Sequence, residues 1–177
     1  MKVLCFDSET SGLDKINEYI IQLAWVTYDT ITKQTTETNF ILKIPKKITN
    51  SHIHRITSEI SDRGYNFNEI IDIFLEDVRE CDLLIGHNLK FDLEMLEVEL
   101  SRLNREDDID MLYEKPYYDT MLKSVNVCKI LGKNGRNKWP KLTELYKHLF
   151  NEEFDGAHDA INDVKATLEC YKKLVST

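Results

Sequence analysis

The chain has no run of eighteen apolar residues, which excludes a membrane-spanning helix. It opens with Met1-Lys2 and passes at once into an apolar stretch ending in carboxylates, which is not the order of a secretory leader. Its four cysteines, Cys5, Cys81, Cys128 and Cys170, lie far apart, form no C-x-x-C pair and each sit close to apolar residues. They are expected to be reduced core thiols in a cytosol-like compartment, so the expected location is cytoplasmic. The cysteine and histidine set of a structural zinc site is missing too. There is no excess of basic charge: the net charge is −8, the reverse of a protein that coats nucleic acid in bulk. No linker, repeat or low-complexity stretch interrupts the 177 residues, 42% of them apolar, so one domain spanning residues 1–177 is expected.

The most informative stretch is Val3-Leu4-Cys5-Phe6-Asp7-Ser8-Glu9-Thr10, which reads as the opening strand. Alternation puts Val3, Cys5, Asp7 and Glu9 on one face, and Leu4, Phe6 and Ser8 on the other. Two carboxylates thus point the same way at the end of an apolar strand. Like charges so placed repel unless something positive lies between them, and carboxylate-only clusters suit hard divalent cations. Asp-x-Glu is common, however, and taken alone a solvated strand end is the plainer reading of it.

The rest of the chain alternates in a readable way. Tyr19 to Thr30 and Thr35 to Ile44 are predicted strands, the latter ending at Pro45, so the chain begins as an antiparallel meander. Residues 48–62 read as a loop running into a short helix. Phe67, Ile70, Ile71, Phe74 and Val78 recur at helical spacing, giving a helix over Asn66 to Glu80. Leu83-Leu84-Ile85 is a buried parallel strand, followed by a helix from about Asn88 to Leu103. Residues 107–114 read as a loop and Tyr117-Tyr118 as a last strand, with Asp119-Thr120 capping the next helix. Gly132 to Pro140 is a basic loop, and helices span Leu142 to Phe150 and Ala160 to Leu174. The predicted fold class is α/β, one mixed five-stranded sheet with helices on both faces.

Charge is unevenly spread. Thr120 to Thr143 holds six basic residues (Lys123, Lys129, Lys133, Arg136, Lys138 and Lys141) and no acid. That is either a solvated face or a local phosphate-contacting surface. Two further sites carry chemistry. Asp92 lies on the apolar stripe of its helix with Leu89, Met95 and Leu96, so it needs a partner, whether helix N-terminal amides or a ligand. His158 sits just before the last helix, and Asp163 about one turn inside it, where the helix N-terminus favours an anion. A histidine beside a carboxylate can act as a general base, though a lone histidine is more often structural. Asp7, Glu9, Asp92 and Asp163 with His158 would suit a two-metal site for in-line displacement at phosphorus.

Three stretches resemble the motifs of the DEDDh-type, DnaQ-like 3′→5′ exonucleases, the family of polymerase proofreading subunits. They are Phe6-Asp7-Ser8-Glu9-Thr10-Ser11-Gly12-Leu13, Gly86-His87-Asn88-Leu89-Lys90-Phe91-Asp92 and His158-Asp159-Ala160-Ile161-Asn162-Asp163, in family order. The resemblance implies an RNase H-like fold and a metal-dependent enzyme that removes 3′-terminal nucleotides from single-stranded DNA as nucleoside monophosphates. It implies that Asp7, Glu9, Asp92 and Asp163 hold two Mg²⁺, with Mn²⁺ as a substitute, and that His158 is the general base. It implies that Thr10, Leu13 and Phe91 contact the terminal nucleotide. Ile53-His54-Arg55-Ile56-Thr57 is similar to the family's I-H-G-I-T, which places His54 in the substrate cleft and an arginine where glycine is usual. The implied partner is nucleic acid with a free 3′ end, DNA ahead of RNA, with a DNA polymerase as candidate protein partner and no membrane. The family's polymerase-tethering tail is not expected after Thr177. An exoribonuclease of the same superfamily and a catalytically silent binding module are the alternatives.

Overall fold

The computed structural model describes residues 1–176. Its sheet has the order β3-β2-β1-β4-β5. The strands are β1 (Lys2–Thr10), β2 (Ile20–Asp29), β3 (Thr35–Ile41), β4 (Leu83–Gly86) and β5 (Tyr117–Asp119). β1 pairs antiparallel with β2 and parallel with β4, and β4 pairs parallel with β5. β1 is therefore central, as suits its almost wholly apolar first half. The expected α/β mixed sheet, with helices on both faces, is what the chain forms.

The alternation of β1 assigns the two cores. Val3 and Cys5 face Val164, Leu168 and Tyr171 of α8 (Ala160–Val175), together with Ala24, Val26 and Ile85. Leu4 and Phe6 face the other layer, where α3 (Phe67–Glu80) and α4 (Leu89–Arg102) contribute Ile70, Phe74, Leu96 and Leu100. Phe74 is the pivot of that layer: its ring meets Phe6 edge-on at 5.3 Å and Trp25 at 5.2 Å. The Trp25 indole N–H donates to Asp77 at 2.7 Å, so the largest core side chain leaves no polar atom stranded.

Local departures from the predicted elements have physical reasons. Two one-turn helices, α1 (Ser51–His54) and α2 (Ser58–Ser61), take up residues 48–62. Residues 107–114 are not a loop but most of α5 (Glu106–Glu114). Three acids in its first turn suit the helix N-terminus, Leu112 is buried, and Arg105 ties it to Asp72 of α3 at 2.7 Å. The acid-rich composition hides the three inward positions, Ile109, Met111 and Leu112. β3 ends at Ile41 rather than Ile44: Leu42 still donates its N–H to Ile21 of β2 at 2.8 Å, but it also bridges to Tyr65. Ile44 and Ile48 join Ile21 and Ile56 in a third, small cluster. Chain order then gives α6 (Thr120–Cys128) and α7 (Leu142–Phe150), with the basic segment 129–141 between them. Three cysteines are buried free thiols, as expected; Cys128 is only half-buried. No helix among the described residues is long and apolar enough to cross a membrane.

Phe74→Ala should remove the packing that joins α3 to β1 and β2 and should cost about 3–5 kcal/mol. Urea unfolding measures this; a loss below about 1 kcal/mol would mean that the layer repacks around the gap.

Candidate active site

The carboxyl ends of β1, β4 and β5 lie at one edge of the sheet, the edge where α/β sheets leave room for ligands. β1 delivers Asp7 and Glu9 there on its α8 side, as alternation requires. Ser8 points the opposite way, toward α4. Its backbone N–H and its hydroxyl both donate to Asp92 Oδ1, at 3.0 and 2.6 Å. Asp92 is buried, so those two bonds answer the question of its partner without using the whole carboxylate. α8 supplies the last acid. Before it, His158 adopts a left-handed backbone (φ 69°), and its N–H donates to Asp163 Oδ2 at 3.1 Å. Glu9, His158 and Asp163 can each present a ligand atom within 4.8 Å of the other two.

Gln22 on β2, opposite Glu9 in the ladder, fixes the start of α8. Its amide oxygen accepts the N–H of Ala160 at 3.2 Å, and its amide nitrogen donates to Asp159 at 2.7 Å. The sequence shows only a lone glutamine in a mostly apolar strand, and its partner Asp159 lies 137 residues away.

The electrostatics follow from this crowding. Burial, then the charges of Asp92, Asp163 and Glu9, push Asp7 well above the usual carboxylate range. Burial followed by Asp163, Asp92 and Asp159 pushes Glu9 up to about 8. Burial raises Asp92 to about 7 against the opposing bonds from Ser8. It raises Asp163 to about 6 against the N–H of His158. Acids that resist ionisation for want of a positive neighbour are suited to a divalent cation, and the oxygen donors of three Asp and one Glu match a hard one.

The second wall of the cleft is built by residues with no catalytic chemistry. Asp119 ends β5, and its carboxylate accepts four backbone N–H groups: Asn88 and Leu89 at 3.2 and 3.0 Å, Met121 and Leu122 at 2.9 and 3.3 Å. It was expected to cap only the helix that follows it. His87 bridges to the basic segment. Its Nε2 lies 3.0 Å from the carbonyl of Pro140 and its Nδ1 3.0 Å from the hydroxyl of Thr120. A carbonyl only accepts, so Nε2 carries a proton and donates to Pro140, and burial pushes the ring's pKa down. The resulting cleft, about 550 Å³, is lined by Asp7, Glu9, Leu13, Phe91, His158 and Asp163 on one side, and by His87, Met121, Pro140, Lys141 and Thr143 on the other.

The expected site residues are thus divided. Asp7, Glu9, Asp163, His158, Leu13 and Phe91 meet in the cleft, with Asp92 directly behind Ser8. Leu13 is strongly exposed, at 84%. Thr10 is buried and does not line the cleft: its hydroxyl donates to the carbonyl of Gly12 at 2.8 Å and closes the turn that presents Leu13. His54 lines a second cavity of about 340 Å³ that shares only Ala157 and His158 with the cleft. In the basic segment, Lys138 is neutralised by Glu144 at 2.6 Å.

Residues 4–171 match the RNase T family of exonucleases. A DNA polymerase III subunit epsilon from Treponema pallidum is 32% identical over 174 residues, 97% of this chain and 75% of that one. The fold is similar to that of Exonuclease I from E. coli in complex with a dT13 oligonucleotide, with a TM-score of 0.78 and 21% identity, over 99% of this chain and 41% of that one. It is also similar to a zinc-bound complex of the E. coli enzyme with single-stranded DNA (TM-score 0.74, 21% identity, 99% and 40% covered). The chain spans about two fifths of the length of these Exonuclease I structures.

The raised carboxylates set a pH dependence. Unfolded carboxyls titrate near pH 4, whereas folded Glu9 holds its proton to about 8, so between these values the folded state binds more protons than the unfolded. In chelator, stability should therefore fall as pH rises from about 4 to about 8. Mg²⁺ or Mn²⁺ at a hundred times Kd should raise Tm by roughly 5–10 °C at pH 8, and by much less at pH 5. Thermal melts at the two pH values check this; an equal rise at both would place the cation away from these acids.

Proposed function

The chain belongs to the RNase T exonuclease family, and on that premise we propose that it removes nucleotides from the 3′ end of single-stranded DNA, releasing nucleoside monophosphates. The observation that carries the reading is the convergence of Asp7, Glu9 and Asp163 on one cleft that also holds His158, with Asp92 bound behind Ser8 and the ionisation of all four acids suppressed by burial. In this reading the four acids hold two divalent cations, and Mg²⁺ is the expected ion. Bound there, the cations would offset the charge of the acids, polarise the scissile phosphate and acidify the attacking water.

The chain's own groups do the rest. His158, exposed at the cleft and held by its N–H to Asp163, takes the proton of the attacking water. Ser8 orients Asp92 by its two bonds and leaves Oδ2 for the site. Leu13 and Phe91 pack against the sugar and base of the terminal nucleotide, and Thr10 serves by fixing the turn that carries Leu13. Lys141 and Thr143 face these across the cleft, where the strand's phosphates would pass. DNA is favoured over RNA because the oligonucleotide of the Exonuclease I complex is DNA and the Treponema relative is a DNA polymerase subunit. That relative also makes a DNA polymerase the protein partner to test by co-elution.

Matched 5′-labelled DNA and RNA oligonucleotides, incubated with Mg²⁺ or with chelator, test the reading. A Mg²⁺-dependent ladder that shortens from the 3′ end, faster on DNA, is expected; faster RNA loss would make the chain an exoribonuclease. Asp163→Asn and Asp7→Asn should abolish the ladder, and His158→Ala should slow it roughly 10²- to 10⁴-fold. Full activity in His158→Ala would put the base elsewhere.

Neutralising Lys133, Arg136 and Lys141 together should weaken substrate affinity and flatten its salt dependence, the slope falling by about 0.7 for each phosphate that is no longer neutralised. Lys138 is left out because Glu144 already holds it. An unaltered slope would leave the segment as solvated surface.

A further inference from the structure

The second cavity carries two hydrogen-bond donors that the molecule leaves unanswered. His54 is 4% exposed, and its Nδ1 accepts the N–H of Ile56 at 3.1 Å. Burial, then the charges of His52 and His158, lower its pKa, so the ring is neutral and its proton must sit on Nε2. That buried N–H has no acceptor, which is costly unless a ligand supplies one. Arg55 is the second donor. Its exposed side chain lines the same cavity, and its guanidinium makes no ion pair or hydrogen bond among the described residues.

The backbone at Arg55 would suit another residue better. It caps α1 at φ 64°, ψ 4°, the left-handed region that glycine enters freely and a side chain enters at a cost. A guanidinium is thus carried at a position where local conformation favours glycine. The cavity's one carboxylate, Asp159, is already occupied by the amides of Gln22 at 2.7 Å and Asn162 at 3.0 Å. An anion entering the cavity would therefore meet the unengaged guanidinium of Arg55, beside an unanswered imidazole N–H buried in the wall and a carboxylate that is hydrogen-bonded elsewhere. The shared wall, Ala157-His158, places the cavity next to the cleft.

We propose that this cavity is a phosphate subsite, in which Arg55, aided by the His54 Nε2–H, holds an internucleotide phosphate of the strand whose 3′ end lies in the cleft. A guanidinium fork matches two phosphate oxygens, and a buried imidazole N–H adds a directed third bond. Arg55 is then a substrate-positioning residue that acts on affinity and not on the chemical step. The inference rests on the exonuclease reading of the neighbouring cleft.

The test compares wild type, Arg55→Gly and Arg55→Lys for kcat and KM on a 5′-labelled dT oligonucleotide across a salt series, together with Tm. Arg55→Gly relaxes the backbone and removes the charge, so Tm should match or exceed wild type. Its KM should rise about tenfold with kcat little changed, the scale of one charged hydrogen bond. The slope of log(kcat/KM) against log[salt] should become shallower by about 0.7. Arg55→Lys should restore the slope but only part of the KM, because it lacks the fork. A wild-type KM and slope in Arg55→Gly would overturn the subsite and leave the exonuclease reading standing. A lower Tm with an unaltered slope would also overturn it, by making Arg55 a loop-holding residue. Wild-type protein that leaves the oligonucleotide intact would overturn both readings.

Discussion

Four acids held close together, mostly out of water, repel one another, and that repulsion is the constraint the rest of the structure accommodates. Each carboxylate is fixed in place by something that cannot move independently. Asp7 and Glu9 ride on the central strand, whose neighbours on both sides and buried side chains fix its register. Asp92 is bound to that same strand through Ser8. Asp163 lies in the first turn of α8, whose start is clamped by Gln22 from the strand next door. Folding therefore stores an electrostatic cost that a positively charged ligand relieves, which is the usual relation between a preorganised site and its cation.

The two faces of β1 also explain why one strand can serve both cores and the site. Apolar residues fill its first half on both sides, so helices cover it. At Asp7 the character changes, and the same alternation that sent Val3 and Cys5 to α8 sends the acids toward the N-terminus of α8. Ser8, on the other face, is the residue through which the α4 layer reaches the acids. The site is thus an extension of the packing pattern and needs no separate scaffold.

Much of this was legible in the sequence, because it depends on short-range periodicity. The alternation in 3–9 gave the correct faces, and the apolar stripe of 89–100 put Asp92 inward. The three motifs located the acids and His158. What could not be read depends on distant partners. Asp119 looks like a local cap until β5 is seen beside β4. Gln22 looks like a polar interruption in a strand until the start of α8 lies over it. Thr10 looks like a ligand-facing residue, but the register shift after Glu9 accompanies a turn that uses its hydroxyl. The helix at 106–114 was hidden because only three of its nine residues pack against the core.

The four bonds to Asp119 have a mechanical meaning. Two of its N–H donors open α4 and two open α6, so a single side chain terminates both helices. α4 carries Asp92 and Phe91, and α6 carries Met121 on the opposite wall. The two walls of the cleft therefore diverge from one pin. Widening the cleft at this end would strip amides from a buried charge, so the two walls keep a fixed spacing where Asn88 and Met121 line it.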